Sequence, residues 1–360
     1  MPVRGGAKSP LTGGPPECSL RCVEQLRRSI NSSSNLVRAN SRALAWVAIL
    51  GLALVSPAVA CSGDNRESKE ASATDAGISV VTTSNIAADW VSRVVGDRVE
   101  VTSLLPTGTS PHGYSPGARD VARVAEADIV FTMGLGLETG WLKDLVAEAS
   151  EGADIVELGS FANPLPARRG DAMEADQGVM DPHFWLDPVR VVLAVYEIAE
   201  RLGLADSEAA AAYESNAEAY VAELEALHAW AVERVETLNV DRRKLVTSHD
   251  SLGYLADRYG FEVVGAAIPG VSTDRDTTPR ELAALIDAVI MQDVSAIFAE
   301  TVESNRLVEQ LARETGVIVV AGLFTGSLGS PGSGAETYIE MMRTNVGLIV
   351  DALRGDVEER

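Results

Sequence analysis

The 360-residue chain carries 30 Lys and Arg against 52 Asp and Glu, giving a formal net charge of -22 and a pI near 4.6. Phosphate backbones are bound by basic surfaces, so this charge balance excludes nucleic acid as a partner. A hydrophobic content of 46% excludes a disordered chain and is ample for one or two domains with real cores.

Residues 1–60 read as a leader. Arg27, Arg28, Arg38 and Arg42 supply a positive n-region, and Ala43 to Val55 is an apolar run of signal-peptide length, too short to span comfortably as a transmembrane helix. Ala58-Val59-Ala60 precedes Cys61, an arrangement that resembles a bacterial lipoprotein signal in which Cys61 becomes lipid-modified and opens the mature chain. Ala58-x-Ala60 also fits ordinary signal-peptidase cleavage, which would release a periplasmic or secreted protein. Residues 61–77 are polar and charged, suited to a flexible tether. Of the three cysteines, Cys18 and Cys22 lie in the leader and Cys61 ends it. The mature region therefore has no thiolate for a disulfide or a metal, and any bound metal must use imidazole, carboxylate or water.

A first lobe is expected over residues 78–205. Its pattern is a strand at Ser79 to Thr83, a helix from Ile86 to Val95, a strand from Val99 to Leu104, and a Pro- and Gly-rich loop from Pro106 to Pro116 that holds His112. A helix at Ala118 to Glu126, a strand at Ile129 to Thr132, a helix around Glu138 to Ala149 and a strand at Asp154 to Leu158 follow. Ala162 to Met180 has no periodicity and reads as a mobile surface loop. It leads into Asp181-Pro182-His183-Phe184-Trp185-Leu186-Asp187-Pro188, where Asp187 is an N-cap with proline at the first helical position. That helix runs from Val189 to Arg201, and residues 206–238 form a second, long helical pattern, a spine able to join two lobes while restricting them to limited relative movement.

A second lobe, 239–360, opens with a strand at Lys244 to Thr247, whose C-terminal loop carries His249 and Asp250. Further strands are expected at Phe261 to Val264, Ala296 to Ala299 (ending at Glu300) and Val317 to Val320. Helices are expected through Tyr254 to Tyr259, from Thr278 with its capping box, around Asn305 to Thr315, and from Thr337 to Leu353. The fold class is thus α/β, with two Rossmann-like lobes of parallel sheet joined by one spine helix, and ligands in such sheets collect at the strand ends.

Three of the four histidines, His112, His183 and His249, stand in loops flanked by turn or capping residues, in both lobes, and can converge in the interlobe cleft. Neutral imidazole suits Zn(II), usually four-coordinate, which leaves one position for a carboxylate such as Glu300, or for water. The fourth, His228, sits mid-helix beside Leu224 and Leu227 and reads as structural. Asp250, next to His249, reads as an outer-sphere or helix-capping carboxylate. Three histidines plus water also describe a secreted zinc hydrolase, but such a site needs a general base, and no His-Glu-x-x-His is present.

Several segments carry a resemblance. They are Pro106 to Pro116 around His112, Gly134-Leu135-Gly136-Leu137-Glu138 with Trp141, the octapeptide around His183, Ser248-His249-Asp250 with Tyr254 and Tyr259-Gly260, and Thr337-Tyr338 with Met341, Met342 and Asn345. Together these resemble the metal-specific solute-binding proteins of bacterial ABC importers, the A-I cluster that handles zinc and manganese, over residues 78 to 355. The resemblance implies no enzyme, a monomer, an ABC permease as membrane partner, and ligands at His112, His183 and His249. It also implies Zn(II) rather than Mn(II) as cargo, since manganese-type members tend to place a glutamate at the third position. A fourth family ligand, an aspartate, falls on Gly326, which has no side chain to coordinate anything. Some members also act as adhesins.

Overall fold

A computed structural model describes residues 77–149, 152–168, 178–273 and 276–355. The expected leader, the tether and Cys61 lie outside them. In the first lobe, β1 (Val80–Thr82), β2 (Val101–Ser103), β3 (Ile129–Thr132) and β4 (Asp154–Glu157) form one parallel sheet in the order β2-β1-β3-β4. Helix α1 (Asn85–Val95) starts where the Ser84 hydroxyl accepts the Ile86 N–H, and it buries Ile86, Ala87, Trp90, Val91, Val94 and Val95. Those positions recur at three- and four-residue spacing, the stripe a sheet-covering helix needs.

Helix α2 (Ala118–Ala125) follows as expected, but the helix predicted around Glu138 to Ala149 shrinks to α3, Leu142–Val146. Gly134 and Gly136 at positive φ make tight turns after β3. The buried Glu138 carboxylate turns back there to accept the N–H groups of Met133 (2.8 Å) and Gly134 (2.9 Å) and the Thr83 hydroxyl (2.7 Å). The chain turns through Glu138 to Trp141, whose N–H and that of Leu142 both donate to Glu138 O, before the helix starts.

The described ends of the segment predicted as a mobile surface loop, Ala162 to Met180, are tied rather than loose. Ala167 N–H donates to Val179 O (2.9 Å), Asp181 N–H donates to Leu165 O (2.9 Å), and Ala162 and Ala167 are buried. Residues 169–177 lie outside the described set.

Helix α4 (Pro188–Ala205) and α5 (Ala210–Glu236) pack side by side, separated by a turn at Asp206. The helical pattern expected from residue 206 therefore starts later. The Asp206 carboxylate accepts the Ala209 N–H at 3.2 Å and the Tyr213 hydroxyl at 2.9 Å, holding the turn. At its 27 residues α5 is about 40 Å long. It touches both lobes: Asn216 donates to Val94 O at 2.9 Å on one side, and on the other Arg234 pairs with Asp351 while Arg343 stacks 4.8 Å over Trp230.

The second lobe repeats the first sheet's order. Strands β5 (Lys244–His249), β6 (Glu262–Ile268), β7 (Ala296–Glu300) and β8 (Ile318–Leu323) run parallel as β6-β5-β7-β8. They are covered by α6 (Gly253–Tyr259), α7 (Pro279–Met291), α8 (Arg306–Thr315) and α9 (Tyr338–Arg354). Capping boxes at Thr278/Glu281 and Thr337/Glu340 start α7 and α9. His249 is not in a loop: it is the last residue of β5, paired with Ile268. The strand continues past Thr247 because its buried end keeps its ladder partner on β6, Ile268.

Candidate metal centre

In each sheet the chain order reverses between the first and third strands, and side chains at those strand tips face the crevice where ligands gather. In the second lobe the tips are His249 on β5 and Glu300 on β7. The Glu300 carboxylate accepts the His249 backbone N–H (Oε1, 2.9 Å), lies 2.8 Å from His249 Nδ1 through Oε2, and accepts the Thr325 hydroxyl. Both oxygens are thereby used behind the ring, and Nε2 is left facing the first lobe.

His183 arrives from the octapeptide, all of which is buried. Asp181, two residues earlier, accepts the His183 backbone N–H at 2.9 Å and sits 2.8 Å from Nδ1. The ring is thus fixed with Nε2 outward, 3.1 Å from His249 Nε2. His112 reaches the same point from the loop between β2 and α2. Trp141 Nε1–H donates to Pro111 O at 3.1 Å, and the Tyr114 hydroxyl lies 2.8 Å from Asp120 Oδ2 and 3.2 Å from Leu104 O, bracing the loop on either side of His112.

Ligand atoms of His112, His183 and His249 all lie within 4.8 Å of one another, and all three residues are buried. Ring centroids of His183 and His249 are 5.0 Å apart, with His112 at 5.5 and 5.4 Å from them. Two nitrogens on a tetrahedral ion with bonds of about 2.05 Å stand about 3.3 Å apart. The His183–His249 spacing is already close to that value.

Burial, then the neighbouring His183 and His249, hold His112 down to about 2, and burial and His249 keep His183 well below the usual histidine range. Burial also works against charge on His249, but Glu300 outweighs it and raises this histidine, while Glu300 is lowered by the same pairing despite its own burial. Burial pushes Asp181 up to about 7, against the N–H bond from His183. The site is therefore three converging imidazoles, two of them disfavouring charge through burial and the third set against a carboxylate that favours it. A cation bound at Nε2 leaves the Nδ1 side of His249 facing the Glu300 carboxylate.

Among the described residues, the sequence-derived trio is brought together and Glu300 is not among its converging donor atoms; it backs His249 instead. His228 is elsewhere, half-buried with Nδ1 3.3 Å from the Tyr259 hydroxyl. Asp250 is buried with Oδ2 3.6 Å from Arg168 Nε, one residue from the site but turned from it. Sequence reasoning gave Asp181 no role, although a carboxylate two residues before a histidine is the Asx-turn spacing that could have marked it.

Residues 80–352 match the family described as ZnuA, zinc-uptake complex component A, periplasmic. The chain belongs to this family. It is 33% identical over 296 residues to the manganese-binding lipoprotein MntA of Halalkalibacterium halodurans, covering 82% of this chain and 95% of that one. The fold is similar to the periplasmic zinc-binding protein TroA of Treponema pallidum (TM-score 0.70, 27% identity, 76% of this chain and 98% of that one). It is equally similar to a manganese-bound mutant of a periplasmic metal-binding protein from Candidatus Liberibacter asiaticus (TM-score 0.70, 26% identity, 76% and 98%). The family places the protein as the metal-binding, solute-binding component of an ABC importer acting outside the cytoplasm, not as an enzyme, and so sets aside the hydrolase alternative. No described helix is long and apolar enough to cross a membrane.

Proposed function

We propose that the protein captures Zn(II) through Nε2 of His183 and His249 and a ring nitrogen of His112, and delivers it to the membrane permease of its importer. The observation that carries this reading is the donor set: three buried ring nitrogens, with the nearby carboxylates of Asp181 and Glu300 hydrogen-bonded behind them. Imidazole favours zinc, whereas manganese favours carboxylate and carbonyl oxygen. The relatives' names include both metals, so the donor chemistry decides the proposal. Asp181 and Glu300 orient the rings and raise their basicity, the role such outer carboxylates have in zinc sites. Water supplies the fourth position, since Gly326 offers no side chain.

The mature protein is further proposed to begin at Cys61, lipid-modified and tethered by residues 61–77, a reading supported by the lipoprotein description of the Halalkalibacterium relative. It works as a monomer. The test is native mass spectrometry of the mature chain with Zn(II) and Mn(II) in competition. Zinc should occupy one site and displace manganese, and a manganese-loaded wild type would overturn the metal assignment. The same measurement on Gly326→Asp asks whether a carboxylate can be added. A Cβ there would meet Pro111 Cδ at 2.9 Å and Val302 Cγ2 at 3.1 Å, so the variant should push the His112 loop away and bind zinc more weakly.

A further inference from the structure

The two lobes meet along two seams of different character, and both run through one loop, Phe324 to Gly329. On the first seam, the octapeptide of the first lobe is fastened to the second. The Trp185 Nε1–H donates to Thr325 O (2.8 Å), the Tyr338 hydroxyl to Trp185 O (2.6 Å) and the Tyr254 hydroxyl to Asp181 O (2.6 Å), while Arg258 pairs with buried Asp187 at 2.7 Å. The segment carrying His183 is thereby bonded at four points to the lobe that carries His249.

The second seam holds only the His112 side. The buried Ser327 hydroxyl accepts two N–H groups from the first lobe, Asn85 Nδ2 at 2.9 Å and Gly108 N at 2.8 Å, while donating to Leu328 O at 2.9 Å. Asn85 Oδ1 accepts the Leu328 N–H at 3.0 Å in return. Gly108 aims its N–H there from φ +79°, a conformation glycine adopts readily. A third tie is the Ser110 hydroxyl to Glu303 Oε1, 3.0 Å. The absent side chain at Gly326 is what allows Pro111, next to His112, to seat against this loop.

Resting on the reading of the trio as metal ligands, we propose that Ser327 with Asn85 is a positioning latch that holds the His112 loop shut over the ion, so that release begins on His112 while His183 and His249 stay paired. The Ser327 hydroxyl, itself anchored by the Asn85 carboxamide, holds through Gly108 a loop whose Pro106, Thr107, Gly108 and Gly113 are exposed. Few buried contacts make such a segment the part of the site that opens at least cost.

The test is stopped-flow transfer of Zn(II) from the mature protein to a chromogenic chelator, with Ser327→Ala and Asn85→Ala beside wild type, and the association rate measured separately. Losing the two cross-seam bonds of Ser327 should speed release about tenfold with association little changed. Hydrogen exchange on the zinc-loaded variants should lose protection at residues 106–112 and keep it at 181–187, a split that general destabilisation would not give. Asn85 is only half-buried, so its variant stands in should Ser327→Ala fold poorly. Wild-type release rates in both variants would overturn the latch alone, whereas a wild-type protein that holds no zinc would overturn the ligand assignment beneath it.

Discussion

The loops that bring His183 and His112 to the same point are built in opposite ways. Residues 181–188 are buried throughout, N-cap the next helix through Asp187, and use their backbone carbonyls and carboxylates to grip the far lobe. The 106–116 loop has an exposed rim and is braced mainly by groups of its own lobe, Trp141 and Tyr114. Equal contributions of imidazole thus come from unequal supports. A binding protein that must also let go needs one ligand it can move without dismantling the rest, and a fixed pair plus one movable ring meets that need.

The largest expected effect is on the fixed side. His183→Ala should lower zinc affinity by about a hundredfold or more, the share of one ligand in a zinc site, and calorimetry on metal-free protein would measure it. Unchanged binding would mean that the site is elsewhere. Next comes Arg258→Ala, which leaves the buried Asp187 carboxylate with Arg190 as its remaining cation and should cost about 3 kcal/mol of stability by denaturant unfolding. A loss below about 0.5 kcal/mol would show that the His183 seam is not the stronger one.

Asp181→Asn and Glu300→Gln sharpen the comparison within the fixed pair. Each should weaken zinc by about ten- to a hundredfold by releasing its ring to rotate, read by competition with a chelating dye. Affinity equal to wild type in both would remove the orienting role. The smallest effect is expected at Trp141→Phe, which deletes only the bond to Pro111 O and should cost about 1 kcal/mol in thermal or chemical unfolding. A loss as large as that of Arg258→Ala would erase the contrast between the two loops.

Much of this was legible beforehand because the signals are local. Asp187-Pro188 and Thr278-Pro279 start helices through their own side chains and fixed φ, and the apolar period of residues 85–95 marks a sheet-covering face in any context. The misjudged pieces are those that distant partners decide. Glu138 has good helical propensity, but the N–H groups at the end of β3 claim its carboxylate. Thr247 to His249 reads as a strand end and a loop until β6 lies beside it. Glu300 is an ordinary acidic residue in sequence, and its work is visible only once His249 lies against it, whereas Asp181 stands at Asx-turn spacing before His183, a local signal of its role.

From the sequence alone came the α/β alternation, the long helix between two lobes, the absence of any cysteine after Cys61 and the three histidines that could meet. Each follows from periodicity, capping or composition, which a chain carries without being folded. The folded molecule settled which nitrogen of His249 faces the crevice, that Glu300 stands behind a ring rather than among the donors, and which of the two loops carries more bonds across the lobes. Those are relations between groups 51 to 242 residues apart, such as His249 with Glu300 and Asn85 with Ser327, and only packing sets the distance between such groups.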